Sequence, residues 1–273
     1  MASISVSNVT VDLPIIGYNG RSIRRFIVNM STGGRTRKHG DELVIVRALE
    51  KVSFELAKGD RLGIYGHNGS GKTTLLRTLA GIYAPTVGSV DVTGSIASLL
   101  DTSFGLNFDA TGRENIYLLL TYRGFHHKDI AKLQPAIEEW TELGSFIDLP
   151  VRTYSSGMLA RLGFAVATSY QPDVLLMDEW LSTGDENFIT KATERVQSFV
   201  DKANVLVLAS HSRDLIKNMC NRVIVLQKGR IILEGKPEAI FADLDARKSE
   251  QASKDLAEAK DVENEPEQVA ALA

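Results

Sequence analysis

The stretch Gly66-His67-Asn68-Gly69-Ser70-Gly71-Lys72-Thr73 decides the fold of this chain. It follows an apolar run, Arg61–Tyr65, and precedes a segment with helical spacing, Lys72–Gly81. A glycine-rich turn of the form G-x-x-x-x-G-K-[ST] between a strand and a helix surrounds phosphate oxygens with backbone N–H groups. The helix N-terminus adds positive potential, Lys72 would reach the β and γ phosphates, and Thr73 would hold Mg²⁺. The sequence therefore predicts an α/β fold that binds a nucleotide.

A pair of carboxylates follows a second apolar run. Val174–Met177 is typical of a buried parallel strand, and Asp178 and Glu179 come directly after it. Ligands of α/β folds bind at the carboxyl ends of the strands. We therefore expect Asp178 to orient Mg²⁺ and Glu179 to polarise the attacking water. In isolation an Asp-Glu pair is more often the start of a helix, so this interpretation depends on the phosphate loop.

The composition is that of a globular α/β protein. Of 273 residues, 44% are hydrophobic and 24% are charged, and the net charge of -3 gives no reason to expect nucleic-acid binding. Apolar runs such as Val205–Ala209 are far shorter than the roughly 20 residues that span a bilayer. The N-terminal sequence lacks a secretory pattern, and the single cysteine, Cys220, cannot form an internal disulfide. We expect a cytoplasmic protein that reaches a membrane through a partner, with Cys220 buried in a helix over Leu215–Val225.

The N-terminal part contains predicted strands on either side of a basic insertion. Residues 3–12 and Ala48–Leu56 are predicted to form a β flap, and Gly17–Glu42 between them is interpreted as a loop or short helix. The cations of the insertion are Arg21, Arg24, Arg25, Arg35, Arg37 and Lys38, and its acids are Asp41 and Glu42. Near a membrane these cations would meet anionic lipid or a substrate phosphate, and a solvated loop is an equally good interpretation.

The middle of the chain is predicted to be helical. Leu118–Leu149 and Ser156–Ser169 have helical spacing, whereas Val205–Ser210 returns to the apolar run of a buried strand. Arg222–Gln227 and Arg230–Glu234 are predicted to form a hairpin around Lys228-Gly229. The α/β core thus resumes after a helical segment.

The last part of the chain is polar. Residues 241–273 contain nine acidic and four basic residues, which is typical of a solvated helix or a disordered tail. We expect one nucleotide-binding domain over residues 1–242 and a charged tail over 243–273. Within the domain, a helical subdomain is predicted at about 112–170.

The segment Tyr154-Ser155-Ser156-Gly157-Met158 begins the second predicted helix. By itself, Ser-Ser-Gly before a helix is an ordinary N-cap. Between the phosphate loop and the carboxylate pair, however, it resembles the LSGGQ signature of ABC ATPases, with Ser156 and Met158 replacing a glycine and the glutamine. The resemblance implies a P-loop ABC ATPase with a RecA-like core, an antiparallel β flap and a helical subdomain. It also implies a homodimer in which each signature contacts the γ-phosphate of ATP on the other subunit.

The family's remaining motifs occur in the expected order. Ser182-Thr183-Gly184-Asp185 resembles the D-loop, and His211, directly after an apolar strand, stands at the place of the switch histidine. The resemblance implies ATP and Mg²⁺ as cofactors, Glu179 and His211 as catalytic residues, and Asp185 as the D-loop residue. The implied ATP-binding residues are Gly66, His67, Asn68, Gly69, Ser70, Gly71, Lys72, Thr73 and Thr74.

Two positions depart from the family pattern. Asp101 stands where the family carries a Q-loop glutamine, and we expect it to contact magnesium together with Thr73 and Asp178. The usual place for the aromatic that stacks on adenine, near Leu13, has none. Tyr18 is the nearest candidate for that role.

Three segments resemble the polysaccharide-exporter branch of the family: Thr111-Gly112-Arg113-Glu114-Asn115-Ile116, Thr153–Met158 with Arg161–Ala165, and Asp178–Ser182. The signature of that branch is commonly YSSGM, so Ser156 and Met158 agree with it. The O-antigen type is the most similar. It implies ATP hydrolysis that exports lipid-linked O-antigen polysaccharide through a separate integral-membrane permease, at the cytoplasmic face of the bacterial inner membrane. Capsular polysaccharide and teichoic acid are alternative substrates.

Other classes of protein share the phosphate loop. A soluble ABC ATPase acting on nucleic acids or ribosomes would carry tandem ATPase domains, long coiled coils or strongly basic arms. An importer subunit is opposed by the exporter-like segments. A P-loop kinase would have no role for the signature or for His211.

Overall fold

The computed structural model describes residues 2–16, 36–39, 43–100, 105–178, 186–247 and 249. Within these ranges the strands form two sheets, one antiparallel and one mostly parallel. Helices cover the parallel sheet and form a separate cluster in the middle of the chain.

A four-stranded antiparallel sheet contains the first strand of the chain. Its strands are β1 (Ser3–Ile16), β2 (Thr36–His39), β3 (Leu43–Leu56) and β5 (Val87–Thr93), in the order β2-β3-β1-β5. The two predicted flap strands are confirmed, and both are longer than predicted. The interpretation of the basic insertion was wrong at Thr36–His39, because this segment pairs with Leu43–Val46 as an edge strand. Residues 17–35 and 40–42 of the insertion lie outside the described residues.

The larger sheet carries the buried apolar strands. They are β4 (Arg61–Tyr65), β6 (Ile96–Leu99), β7 (Val174–Asp178), β8 (Val205–Ser210), β9 (Arg222–Gln227) and β10 (Arg230–Gly235), in the order β10-β9-β4-β8-β7-β6. The strands from β9 to β6 run parallel, and β10 pairs with β9 in the predicted antiparallel hairpin. Every residue of β8 is buried, as expected for a parallel strand covered on both faces.

The helices are α1 (Lys72–Leu79), α2 (Gly112–Tyr122), α3 (His127–Thr141), α4 (Ser156–Ala167), α5 (Glu186–Lys202) and α6 (Arg213–Met219), followed by α7 over residues 237–247. The segment predicted to be helical over Leu118–Leu149 is divided between α2, α3 and a short 3-10 turn, Gly144–Asp148. Residues 237–247 show that the polar C-terminal part begins as a helix.

Two hydrophobic clusters lie on opposite faces of the larger sheet. In β7, Val174 and Leu176 belong to the cluster shared with the flap and α1, whereas Leu175 and Met177 belong to the cluster shared with α5 and α6. This division follows from the alternation of side chains along a strand. A third cluster lies among α2, α3 and α4, so the helices of the middle region have a core of their own.

Cys220 follows α6 and is buried, as predicted. The predicted helix over Leu215–Val225 was wrong at its C-terminal end, because Arg222 and the residues after it pair with β4. Burial raises the pKa of the Cys220 thiol to about 12. Among the described residues, no helix is both long and apolar enough to cross a bilayer.

Candidate nucleotide site

The phosphate loop continues from the carboxyl end of β4. That strand pairs in parallel with β8 on one side and β9 on the other, so the loop leaves from the middle of the larger sheet. His67, Asn68 and Gly69 are exposed, whereas Ser70 and Lys72 are buried. The position agrees with the rule that ligands of α/β sheets bind at the carboxyl ends of the strands.

Glycine is required at specific positions of this loop. A side chain at Gly66 would bring a Cβ atom within 2.4 Å of the Leu226 carbonyl oxygen. Gly71 has a φ of 110°, and its Cβ would lie 2.8 Å from the Ala48 carbonyl oxygen. Both distances are shorter than ordinary van der Waals contacts. In addition, any residue other than glycine would be strained in the left-handed backbone conformation of Gly71. The loop can therefore keep this path only with glycine.

Lys72 folds back over the loop. Its Nζ donates hydrogen bonds to the carbonyl oxygens of Gly66 at 2.8 Å and His67 at 3.3 Å. The lysine is only 7% exposed. The ammonium group therefore lies against the first residues of the loop, and together with the N-terminus of α1 it contributes positive potential.

Ser70 is a direct indication that the loop fits a ligand. Its hydroxyl is buried and has no hydrogen-bond partner among the described residues. A buried hydroxyl without a hydrogen-bond partner is unfavourable unless a ligand or a water molecule supplies that hydrogen bond. The backbone of Ser70 is fixed on both sides, because its N–H donates to His67 at 3.1 Å and its carbonyl accepts from Gly229 at 2.8 Å. The loop thus fits a phosphate group through Lys72, Ser70 and the exposed backbone.

Thr73 and Asp178 are brought together from distant parts of the sequence. The Thr73 hydroxyl donates to Asp178 Oδ2 at 2.6 Å. A hydroxyl and a carboxylate at this spacing are oxygen donors of the kind that Mg²⁺ uses beside nucleotide phosphates. The pair fits the predicted metal site.

His211 lies at the same edge of the sheet. Asp178 in β7 is in register with Ala209 in β8, and His211 follows β8 directly. The histidine is exposed. The main chain after β8 turns sharply, because Ser212 donates its N–H to the Ser210 hydroxyl at 3.0 Å and accepts from Leu215 as the N-cap of α6. The structure therefore places Asp178 and His211 on neighbouring strand ends.

The signature segment begins α4 in the middle region. The Ser155 hydroxyl accepts a hydrogen bond from Met158 N at 3.3 Å, and both Ser155 and Ser156 are exposed. A Cβ atom at Gly157 would meet only Ser155 Oγ, at 3.9 Å. The glycine is thus not needed for packing within the chain, and its surface is open to a ligand or a second molecule.

Tyr154 anchors the signature to the helical cluster. Its hydroxyl donates to the Phe146 carbonyl at 2.6 Å, and the side chain is 8% exposed. Burial raises the pKa of this phenol. A Cβ atom at Gly112 would lie 2.3 Å from the Tyr154 hydroxyl, so Gly112 leaves the space that the tyrosine occupies.

Asn115 is a supporting residue that the sequence did not single out by role. The side chain is fully buried; it accepts from Asn107 N at 2.7 Å and donates to the carbonyls of Asn107 and Thr111 at 2.9 Å. Thr111 and Glu114 form a capping box at the start of α2, and the hydrogen bond from the Thr111 backbone lowers the pKa of Glu114. The T-x-x-E spacing was a visible signal for this helix start, whereas the partners of Asn115 were not.

Arg113 links α2 to the turn before the signature. Its Nε donates to Asp148 at 2.8 Å and its Nη1 donates to Glu138 at 2.6 Å. The guanidinium lowers the pKa of Asp148. Arg152 pairs with Asp109 at 2.7 Å two residues before Tyr154, and exposed ion pairs of this kind contribute little to stability.

Four of the predicted site residues, Tyr18, Asp101, Glu179 and Asp185, lie outside the described residues. The structure brings together the phosphate loop, Thr73, Asp178 and His211 at one edge of the larger sheet. Ser155 bonds within its own helix, and Lys72 within its own loop. The phosphate-loop part of the predicted site is therefore held within the α/β core, and the signature part is held within the helical region.

A family model described as ABC transporter matches residues 49–182. The chain is 45% identical to the O-antigen export system ATP-binding protein RfbE of Yersinia enterocolitica, over 86% of this chain and 98% of the relative. It is 38% identical to the O-antigen export system ATP-binding protein RfbB of Klebsiella pneumoniae, over 87% of this chain and 95% of the relative. The chain is 40% identical to the teichoic acids export ATP-binding protein TagH of Lactococcus lactis; the aligned region covers 72% of this chain and 42% of TagH.

The fold is similar to solved ATP-binding cassettes. A dimeric cassette in a post-hydrolysis state, bound to ADP and Pi, aligns with a TM-score of 0.61 and 21% identity over 86% of this chain and 98% of the cassette. An ATP-binding subunit of an ABC transporter aligns with a TM-score of 0.63 and 18% identity over 89% of this chain and 93% of the subunit. The predicted fold class is confirmed.

Proposed function

Because the chain belongs to the ABC transporter family and is an ATPase subunit of the O-antigen export type, we propose that it hydrolyses ATP to drive lipid-linked O-antigen polysaccharide across the bacterial inner membrane. It works as a homodimer on the cytoplasmic face, bound to a separate integral-membrane permease. The nucleotide-binding domain spans residues 1–242, with a helical subdomain at about 112–170, and is followed by a charged tail.

The observation that carries the ATPase chemistry is the contact between Thr73 and Asp178. It joins the end of the phosphate loop to the carboxyl end of β7 at 2.6 Å. Mg²⁺, when bound with ATP, neutralises charge that develops on the phosphates. In this chain Thr73 and Asp178 would hold it, and Asp101 is proposed as a further contact.

The remaining residues position the phosphates and the water. Lys72 exchanges its bonds to Gly66 and His67 for the β and γ phosphates, and the loop backbone from Gly66 to Thr74 surrounds the oxygens. Glu179 orients the attacking water, and His211 contacts the γ-phosphate. Tyr18 is proposed to stack on adenine.

The second half of each ATP site comes from the partner copy. The exposure of Ser155 and Ser156 and the open position at Gly157 support this, because the N-terminus of a helix offers hydroxyl and backbone N–H groups to an anion. Met158 is proposed to complete this contact surface. Asp185 is proposed to lie between the two sites as the D-loop residue. ATP binds the closed dimer more tightly than the open one, and that difference in affinity moves the permease.

Deletion of the gene in its own host tests the transport function. We expect undecorated lipopolysaccharide at the cell surface and lipid-linked glycan inside the cell. Expression of the wild-type chain should restore export, whereas the Glu179→Gln chain should bind ATP and restore nothing. Normal surface O antigen in the deletion strain would contradict the proposal.

Teichoic acid export is a second candidate, favoured by the 40% identity to TagH. The same deletion strain distinguishes the two substrates, because the glycan that accumulates can be isolated and analysed. A polyol-phosphate polymer in place of an O-antigen polysaccharide would assign the chain to teichoic acid export.

A further inference from the structure

Arg213 connects the histidine loop to two other parts of the chain. Its Nε lies 3.5 Å from the Tyr65 hydroxyl, and its Nη1 donates to Asp245 at 2.6 Å. The guanidinium carbon lies 5.8 Å from the centroid of the Tyr65 ring and 5.3 Å from that of the Phe241 ring. Contacts of this kind combine charge with packing against the ring faces. One side chain thus links α6, to which it belongs, to β4 and α7.

The positions of these partners connect Arg213 to the nucleotide site. Tyr65 is the last residue of β4 and immediately precedes Gly66, the first residue of the phosphate loop. Arg213 is the first residue of α6 and comes two positions after His211. The two loops proposed to contact ATP therefore meet through Arg213 and Tyr65.

Helix α7 supplies the fixed support for this contact. Phe241 is buried and packs edge to face on Tyr65, with ring centroids 5.1 Å apart. Lys217, one turn further along α6, also lies over the Phe241 ring, at 5.7 Å. Phe241 and Ile240 belong to the hydrophobic cluster under β9 and α6, so α7 is anchored by its apolar face.

We propose that Arg213 is a positioning residue for ATP hydrolysis: it fixes the loop that carries His211 relative to the start of the phosphate loop, with α7 as the support. The proposal rests on the function proposed above, in which His211 contacts the γ-phosphate. It gives the C-terminal helix a role in turnover, although that helix supplies no residue to the site itself. Arg213 does not touch the reacting atoms, and its effect depends on geometry.

The test is steady-state ATPase kinetics on the full chain in complex with its permease. Arg213→Ala should lower kcat by about fivefold or more, because a small displacement of a catalytic group is costly. KM for ATP should change less than twofold, because Lys72 and the loop backbone remain in place. Arg213→Lys keeps a cation over both rings and a partner for Asp245, and should recover at least half of the lost kcat.

Arg222 offers a matched control. It also pairs with a carboxylate, Glu234, at 2.7 Å from Nε, but it lies at the amino end of β9, opposite the phosphate loop. Arg222→Ala should leave kcat within twofold of the wild type. Thermal unfolding and binding of a fluorescent ATP analogue are measured on every variant.

Several results would overturn the proposal. These are an unchanged kcat in Arg213→Ala, an equal loss in Arg222→Ala, no recovery in Arg213→Lys, or a loss of ATP binding or of cooperative unfolding in Arg213→Ala. The last would assign a purely structural role. Absence of turnover in the wild-type complex would instead contradict the proposed function, so the two failures are distinguishable.

Discussion

The phosphate loop and the signature segment are held in place in different ways. The loop is held largely through backbone carbonyls: Lys72 Nζ donates to two of them within the loop, the Ser70 carbonyl accepts from Gly229, and Gly71 lies close to the Ala48 carbonyl. The signature is held through its own first residue, Tyr154, whose hydroxyl donates to the Phe146 carbonyl and occupies the space that Gly112 of α2 leaves open. The loop is partly buried, whereas Ser155 and Ser156 are exposed.

Because of this difference, we expect the loop and the signature to have different roles in each proposed ATP site. The loop has the cation, the hydroxyl and the backbone donors needed to bind a nucleotide within a single subunit. The signature has an open surface at Gly157, and in the proposed dimer it would contribute only when a second copy faces it. Substitutions in the loop should therefore weaken or abolish ATP binding. Around the signature, substitutions of supporting residues should lower the stability of the fold, whereas substitutions of contact residues should lower turnover alone.

The largest effect is expected from Lys72→Ala. Removal of the ammonium group leaves the developing charge on the phosphates without its cation, so hydrolysis should fall on the order of a hundredfold or more. Binding of ATP should weaken in the same variant. Phosphate release by the full complex measures the first effect, and Lys202→Ala at the exposed end of α5 is the control. Turnover within twofold of the wild type in Lys72→Ala would remove the lysine from the site.

Asn115→Ala should act on the folding of the region that supports the signature. It removes a fully buried side chain that bonds three backbone groups at 2.7 to 2.9 Å. Buried groups that lose their partners cost about 1 to 3 kcal/mol, and we expect a loss of about 2 to 3 kcal/mol in the free energy of unfolding. Chemical denaturation measures it. If Asn115→Ala were as stable as the wild type, the hydrogen bonds of Asn115 would not support the helical region around the signature.

Substitutions of two glycines distinguish the support of the signature from its contact surface. Gly112→Ala places a methyl group 2.3 Å from the Tyr154 hydroxyl, so we expect about 1 to 3 kcal/mol of destabilisation. Gly157→Ala meets only Ser155 Oγ at 3.9 Å, so the stability of the isolated chain should be unchanged or slightly increased. Turnover of the complex should nevertheless fall in Gly157→Ala. Equal losses of stability in the two variants would contradict the division between support and contact surface.

The smallest effect concerns Cys220, which lies under β4. Its pKa of about 12 keeps the thiol protonated at pH 8, so alkylation of the folded chain should be slow and should accelerate on unfolding. Above the ordinary thiol pKa of 9.0 the unfolded chain deprotonates first, so this group lowers stability as pH rises from about 9 to 12. Labelling rates followed by mass spectrometry provide the check. Rapid labelling of the native chain at pH 8 would show that Cys220 is accessible in the folded state and would contradict this burial.

The loop and the large sheet were predictable because their signals are local. Strand Arg61–Tyr65 was predicted with the bounds that the structure gives, and the glycine pattern gave the position of the loop between β4 and α1. The same holds for Ser155, whose N-cap role follows from the residues beside it. Local spacing and end signals decide such elements.

The support of the signature was not predictable, since it depends on contacts between distant residues. The partners of Tyr154 are Phe146 and the space left by Gly112, and nothing in a single sequence shows that these residues meet. For the same reason Thr36–His39 was wrongly assigned to a loop or short helix, because its pairing with β3 is a tertiary contact. Arg213 was missed because its partners are tertiary contacts: Tyr65 lies 148 residues before it and Asp245 lies 32 residues after it.

A mixed-dimer experiment tests most directly whether each ATP site combines the loop of one copy with the signature of the other. Copies with Lys72→Ala and copies with Gly157→Asp should each be inactive alone. In a mixed dimer, the intact loop of one copy faces the intact signature of the other, so an equal mixture should recover about a quarter of the wild-type turnover. If loop and signature of the same copy formed the site, the mixture would stay as inactive as either variant.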